Sequence, residues 1–271
     1  MNLMNFPAGL KRTLAPLAAI AFLAVPMLAA TGCSKTTTPA NAAEVVRLAG
    51  EKTGSADSVH FEMKITMSGI LGSDVEMKAD GDYDLVAQQM QMSMDAVGQK
   101  TETVMDGSTM YLKMPALGDG WYRMDVSELL DQAGSLNSAY EDPTKILSWL
   151  STVGDDVTLV GSDSIRGEDA DHYRATVNLR KAAAEMGASQ AEAVEKALEL
   201  LGDENFDVDV WVNDAGFPVR LRYEMSFANS EVKMLQKVVA KYSLDYMDWG
   251  EPVAIDVPDS SQVKDFKDFQ P

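Results

Sequence analysis

The stretch FDVDVWVNDAGFPVRLRYEMSF, residues 206–227, sets the fold class. Phe206, Val208, Val210 and Val212 recur every second residue, with Asp207 and Asp209 between them. Asp214-Ala215-Gly216 then supplies turn chemistry, and Val219, Leu221, Tyr223, Met225 and Phe227 alternate with Arg220, Arg222 and Glu224 on the way back. A period of two places one set on a dry face and the other on a wet face of an antiparallel hairpin. After Asn229-Ser230 a third run continues the pattern through Val232, Met234, Val238, Ala240, Tyr242, Leu244 and Tyr246. Asp207, Asp209, Arg220, Arg222, Lys233, Lys237 and Lys241 oppose these apolar sets, and their signs suit pairing across neighbouring strands on a solvated outer face.

The same period governs the first third. Val59, Phe61, Met63, Ile65 and Met67 share a face opposite His60, Glu62, Lys64 and Thr66. Further strands are expected through Val75, Met77, Ala79 and Tyr83, and through Met90, Met92 and Met94. Asp106-Gly107 joins strands at 101–105 and 109–114, and a short strand follows at 121–124. Strands resume at 157–165 and 172–179, and Pro252 and Pro258 bracket a last short one before a polar tail from Ser260. Helical spacing appears at 42–53, with Val45, Val46, Leu48 and Ala49 as its apolar stripe before Gly54, weakly at 127–133, at 142–150 behind an Asp142-Pro143 start, and at 181–201 before Gly202. About eleven strands with a few helices and no fixed-period repeat read as a single α+β domain over residues 42–271, built on a large curved antiparallel sheet.

Upstream, Lys11 and Arg12 precede an apolar run from Leu14 to Ala30 that is broken by Pro16 and Pro26 and ends in small residues before Cys33. Charged head, apolar middle and small-residue exit describe a secretory signal over residues 1–32. Cys33 is the only cysteine. A lone thiol cannot staple a secreted chain, so its place just after the exit points to chemistry at a new N-terminus. The segment resembles a bacterial lipobox, in which that thiol receives a diacylglyceryl group; an ordinary signal with an incidental cysteine is the alternative. Residues 33–41 read as a polar tether. Loss of Lys11 and Arg12 takes the net charge from −19 to −21. That charge excludes nucleic acid as a partner and also repels anionic headgroups, so attachment to a membrane rests on acyl chains.

No nucleophile elbow, zinc-protease helix, phosphate loop or dinucleotide fingerprint is present, so no catalytic residue, metal or cofactor is assigned. His60 and His172 are the only histidines, and both read as solvated strand residues. Asp80-x-Asp82-x-Asp84 starts like a calcium loop, but Leu85 and Gln91 stand where Gly and Glu are needed. The methionines are the oddity, since ten of the seventeen lie between Met63 and Met124. Three readings stand: plain core filling, an adaptable greasy wall, or soft capture of Cu(I) by Met90, Met92 and Met94. Copper lacks a free cysteine, and His60 lies across the strand from Met63.

The VMDGSTMYLKM hairpin leading to Trp121, the VDVWVNDAGFPVRLRYEM hairpin and the closing YSLDYMDWGEPVAIDVP segment, in this order behind Cys33, resemble the actinobacterial LppX/LprG lipoprotein family. That family is similar in shape to the LolA/LolB lipoprotein carriers. The resemblance implies a half-open β-barrel whose concave face, covered by helices, encloses a cavity for acyl chains. It also implies a lipid or glycolipid ligand, lipoglycans included, carried without catalysis through the cell envelope, with an envelope transporter as partner. The wall candidates in this sequence are Phe61, Met63, Ile65, Met67, Met77, Met90, Met92, Met94, Met110, Leu112 and Met114. Ile146, Trp149 and Leu150, with the helix at 183–201, would form the cover. An interaction or sensor module that keeps the sheet packed and offers its acidic exterior is the reading from a different class.

Overall fold

Each alternating run finds a partner run of the same period, and the result is one continuous sheet. The computed structural model describes residues 39–70, 73–118, 120–127, 147, 150, 156–181, 198, 203–227 and 238–268. A helix, α1 (Pro39–Thr53), is followed by β1 (Ser58–Ile70), β2 (Ser73–Asp84), β3 (Gln89–Ala96), β4 (Gln99–Asp106), β5 (Thr109–Lys113) and β6 (Trp121–Asp125). Then come β7 (Val157–Ile165), β8 (Glu168–Asn178), β9 (Asn205–Asn213), β10 (Pro218–Phe227), β11 (Val238–Met247) and β12 (Val263–Asp265). The order across the sheet is β12-β6-β5-β4-β3-β2-β1-β11-β10-β9-β8-β7. Every pairing is antiparallel except that of β12 with β6. The sheet is open, with β12 and β7 at its edges. Two meanders, β1 to β6 and β7 to β11, are thus joined by the single pairing of β1 with β11.

Turns follow from local chemistry. Val97-Gly98 and Arg166-Gly167 both adopt positive φ at successive residues. That is the backbone of a type I′ hairpin, whose twist matches that of the flanking strands. The Asp106-Gly107 turn joins β4 to β5 as the sequence predicts.

Register then sorts the two faces. One apolar rung runs from Tyr173 through Val210, Leu221 and Leu244 to Met63, and onward to Ala79 and Met94. A parallel rung carries Tyr246, Phe61, Gly81, Met92, Thr103, Leu112 and Tyr122. The core lies on this face, where Val210 and Leu221 have no exposed surface and Tyr173 and Phe61 almost none. Ala42, Val46 and Ala49, spaced four and three apart, form the buried stripe of α1 and belong to the same core. Leu147, Leu150 and Leu198 belong to it too, so the segments in which the sequence predicts helices contribute side chains to the apolar face. The rest of those segments lies outside the described residues.

Three expectations change. Helix α1 starts at Pro39 rather than residue 42, because proline suits the first turn, where its missing N–H has no partner to lose. Leu48, expected in the apolar stripe, is 47% exposed and falls outside it. The predicted last strand between Pro252 and Pro258 joins no ladder, and the strand lies instead at Val263–Asp265 in the polar tail. The reason is geometric. From β11 the chain must reach β6, six strands away, so it crosses the sheet and cannot run alongside a strand. It leaves past Ser58, whose backbone oxygen accepts from Gly250 N at 2.9 Å, and passes Gln91, whose Oε1 accepts from Asp256 N at 3.4 Å. Val104, on this outer face beside Asp256 and Trp121, is 4% exposed.

Gly81 marks one position where only hydrogen fits. A Cβ there would lie 2.5 Å from the backbone oxygen of Gln91 and 2.8 Å from Cζ of Phe61. The ring of Phe61 therefore packs against a bare backbone, a use of glycine inside a strand that packing requires. Gly161, by contrast, has nothing within 4 Å of such a Cβ. Gly81→Ala is expected to lower Tm by several degrees, at roughly 2–4 °C per kcal/mol for a chain of this size. Gly161→Ala is expected to leave Tm unchanged or slightly raised. Thermal melts followed by circular dichroism compare the two.

Candidate functional site

The two halves of the apolar face differ in chemistry. On β8 to β11 it is built largely of Tyr173, Ala175, Val177, Val208, Val210, Leu221 and Leu244, which are buried, with Phe206, Tyr223, Met225 and Tyr242 partly exposed. On β1 to β5 it is largely methionine. The registers put Phe61, Met63, Ile65, Met67, Met77, Met90, Met92, Met94, Met110 and Leu112 on one side of the sheet, and Met114 continues the alternation just past β5. Phe61, Ile65 and Met90 are buried, whereas Met63, Met67, Met77, Met92, Met94, Met110, Leu112 and Met114 are only partly so. Burial also falls along the strands. The rung Val59, Tyr83, Met90 and Met105 is closed, while Met77 and Ala96, several residues further, are partly exposed and Gln99 is exposed. Leu150 is 1% exposed in the core. Ile146, Trp149 and Cys33 lie outside the described residues.

Partly covered, unbranched thioether side chains are deformable. Methionine rotates about three bonds and accommodates ligands of variable shape, which a wall of valine and leucine does not. The thioethers of Met90, Met92 and Met94 face away from both histidines, because His60 sits on the opposite side of β1 and His172 on the opposite side of β8.

The outer face is not the loosely solvated surface that its alternating charges predict. The β7–β8 hairpin curls over it, helped by irregular register between Leu159 and Gly161 and between Pro218 and Arg220. Ile165, Ala170, Trp211 and Val219 form a second small core there. Trp211 Nε1 donates to Asp163 at 2.6 Å, and the ring stacks on His172 at 4.0 Å between centroids. His172 Nε2 lies 2.8 Å from Asp209 Oδ1, so this histidine is packed and paired rather than solvated.

Arg166, at the hairpin tip, reaches Glu62 on β1 and lies 3.2 Å from Asp245 on β11. Arg220 meets Asp245 with two hydrogen bonds of 2.5 Å. Asp245 is 8% exposed. Burial pushes its pKa up, but the hydrogen bonds and charges of Arg220 and Arg166 outweigh that and hold it below the usual carboxylate range. Sequence reasoning missed this cluster, since Arg166 and Asp245 stand 79 residues apart and no local pattern connects them. His60, expected to be solvated, is bracketed by Asp82 at 2.7 Å and Asp80 at 3.2 Å. Burial lowers its pKa, yet the two carboxylates outweigh it and the net shift is upward. A groove of about 610 Å³ runs over this face, lined by Glu62, Lys64, Lys78, Asp95, Lys100 and Arg222 among others. Its charged lining is unsuited to an acyl chain, whereas the methionine half of the other face offers partly exposed apolar side chains.

An open, almost wholly antiparallel sheet is a fold that this chain shares with solved mycobacterial proteins. The chain is similar to lipoprotein LppX of Mycobacterium tuberculosis, with 18% identity, a TM-score of 0.52, and coverage of 79% of this chain and 97% of that one. It is similar also to LprF of Mycobacterium bovis, with 17% identity, a TM-score of 0.50, and coverage of 82% and 98%. Residues 41–265 match DUF6612, a family of unknown function, and the chain belongs to that family. A relative in Streptomyces griseus, described as an uncharacterized 31.2 kDa protein in the rplA-rplJ intergenic region, is 25% identical over 225 residues, covering 80% of this chain and 68% of its own.

Asp245→Asn is expected to leave Arg220 and Arg166 without their shared anion and to cost about 3 kcal/mol at neutral pH. Because the native carboxyl pKa is depressed, the stabilisation is fully present above the ordinary aspartate value of about 3.9. It is lost as pH falls through the lower native value. Urea unfolding of wild type and variant should show the gap closing in that acid window; a gap constant with pH would contradict the ion-pair assignment.

Proposed function

We propose that this protein is a lipid-anchored, extracytoplasmic carrier that holds the acyl chains of a lipid or glycolipid against the methionine half of its apolar face. The observation that carries this reading is the contrast within one face: mainly buried Val, Leu and Tyr on β8 to β11, and mainly partly covered Met on β1 to β5. An apolar surface left partly open is stabilised by whatever apolar group covers it, at roughly 25 cal/mol per Å². An acyl chain supplies that area without needing a polar partner. The fold shared with LprF and with LppX, itself described as a lipoprotein, and the placement of Cys33 behind a signal-like leader support the same role. Binding and release need no chemistry from the protein, and delivery to another envelope component would use the open edge of the apolar face.

Organic-solvent extraction of protein purified from an actinobacterial host, followed by mass spectrometry, is expected to yield co-purified lipid in near-stoichiometric amount. Met92→Lys, which sets an ammonium opposite Gly81 and beside Phe61, is expected to reduce that lipid several-fold, while Met92→Leu retains it. Equal lipid in Met92→Lys and wild type, with both folded by circular dichroism, would remove this wall from the site. Cys33→Ser is expected to move the protein from the membrane fraction to the soluble fraction; unchanged partition would remove the anchor.

A further inference from the structure

On the outer face, three potential ligands converge at the middle of the sheet. His60 and Glu62 are two residues apart on β1 and so point the same way, and Asp80 pairs directly across from Glu62 on β2. One ligand atom from each of the three lies within 4.8 Å of the other two. His60 Nε2 and Asp80 Oδ2 are 3.2 Å apart. Bonds of about 2.0–2.1 Å at a tetrahedral angle separate two ligands of zinc by about 3.3 Å, so these two atoms already stand at coordination spacing.

The remaining contacts are those that orient metal ligands. His60 Nδ1 lies 2.7 Å from Asp82 Oδ1, and Gln91 Nε2 donates to the other oxygen of Asp82 at 2.9 Å. A carboxylate on the far imidazole nitrogen fixes the tautomer that leaves Nε2 free to coordinate. Arg166 donates to Oε2 of Glu62 and so helps to fix that carboxylate. The ligands stand on the central strands β1 and β2, with their support reaching β3, so the scaffold is rigid.

We propose that His60, Glu62 and Asp80 form a binding site for a zinc-class divalent cation, with Asp82 as the positioning residue for His60. One imidazole and two carboxylates, with a position left for water, suit zinc better than calcium or magnesium, which take oxygen ligands alone. Coordination takes the imidazole in its neutral form, so binding is weakened by acid as for any histidine ligand. The site lies on the side of the sheet opposite the methionines and stands whether or not lipid binds there.

The test uses the full chain, freed of metal with a chelator and titrated with Zn²⁺ against a chromophoric competitor at mildly alkaline pH, which favours deprotonated ligands. Wild type is expected to bind one equivalent. His60→Gln and Asp80→Asn are expected to weaken binding at least ten-fold, and Asp82→Asn by about ten-fold through loss of orientation. Asp95→Asn, an exposed acid on the same face outside the cluster, is expected to bind as wild type does. Co²⁺ should give visible absorption bands with wild type and none with His60→Gln. The proposal is overturned if wild type binds no more zinc than His60→Gln, or if Asp95→Asn weakens binding as much as Asp80→Asn. Circular dichroism melts without metal establish that each variant is folded, and the wild-type titration decides the question even where one is not.

Discussion

The pairing of β1 with β11 is the constraint on which the rest of the structure depends. It joins a meander made early in the chain to one made late, and it does so in a register that keeps apolar side chains continuous across both. With Met63 opposite Leu244, the rung that starts at Tyr173 on β8 carries through to Met94 on β3 without changing face, and Phe61 opposite Tyr246 starts a second that reaches β6. A slip of one residue would move the whole apolar set of one meander to the wet side and is therefore strongly disfavoured. The long separation of β1 from β11 also means that this pairing requires closure of a long loop, which hydrophobic burial on the shared face must offset.

That continuous division gives the two faces different tasks. The dry face is anchored by the stripe of α1 and by buried aliphatic residues on β8 to β11, and it turns soft toward β5, where methionine replaces branched side chains. The wet face is held by ion pairs that cross several strands, among them Arg166 with Glu62 and Asp245, and by the tryptophan–histidine stack under the β7–β8 hairpin. A strap from residue 250 onward crosses that same face and ends as β12, which pairs in parallel with the edge strand β6. An edge that would otherwise present unpaired backbone groups is thereby covered by the chain's own tail.

The acyl-chain reading and the cation site draw on opposite sides of one sheet and share β1 and β2. Residues of odd number on β1 face the core and those of even number face the charged groove, so a single strand supplies Phe61 and Met63 to one and His60 and Glu62 to the other. Family membership adds no assigned role, since DUF6612 is described as a family of unknown function. Likeness to LppX and LprF concerns the fold.

Period-two alternation alone determined most of the strands, their facing and the methionine-rich half of the dry side, because in a strand neighbouring side chains point to opposite faces whatever the tertiary context. It also marked the hairpin at Asp106-Gly107 and the helical stripe ahead of Gly54. Only the folded chain decided that β1 and β11 are neighbours, that the Pro252–Pro258 segment crosses strands instead of joining them, and that Arg166 reaches Asp245. The same holds for His60, Glu62 and Asp80: spacing on β1 aligns the first two, but the register against β2 brings the third. Contacts between residues distant in the chain depend on register, bulges and coiling of the sheet, and those are properties of the whole assembly rather than of any local run of residues.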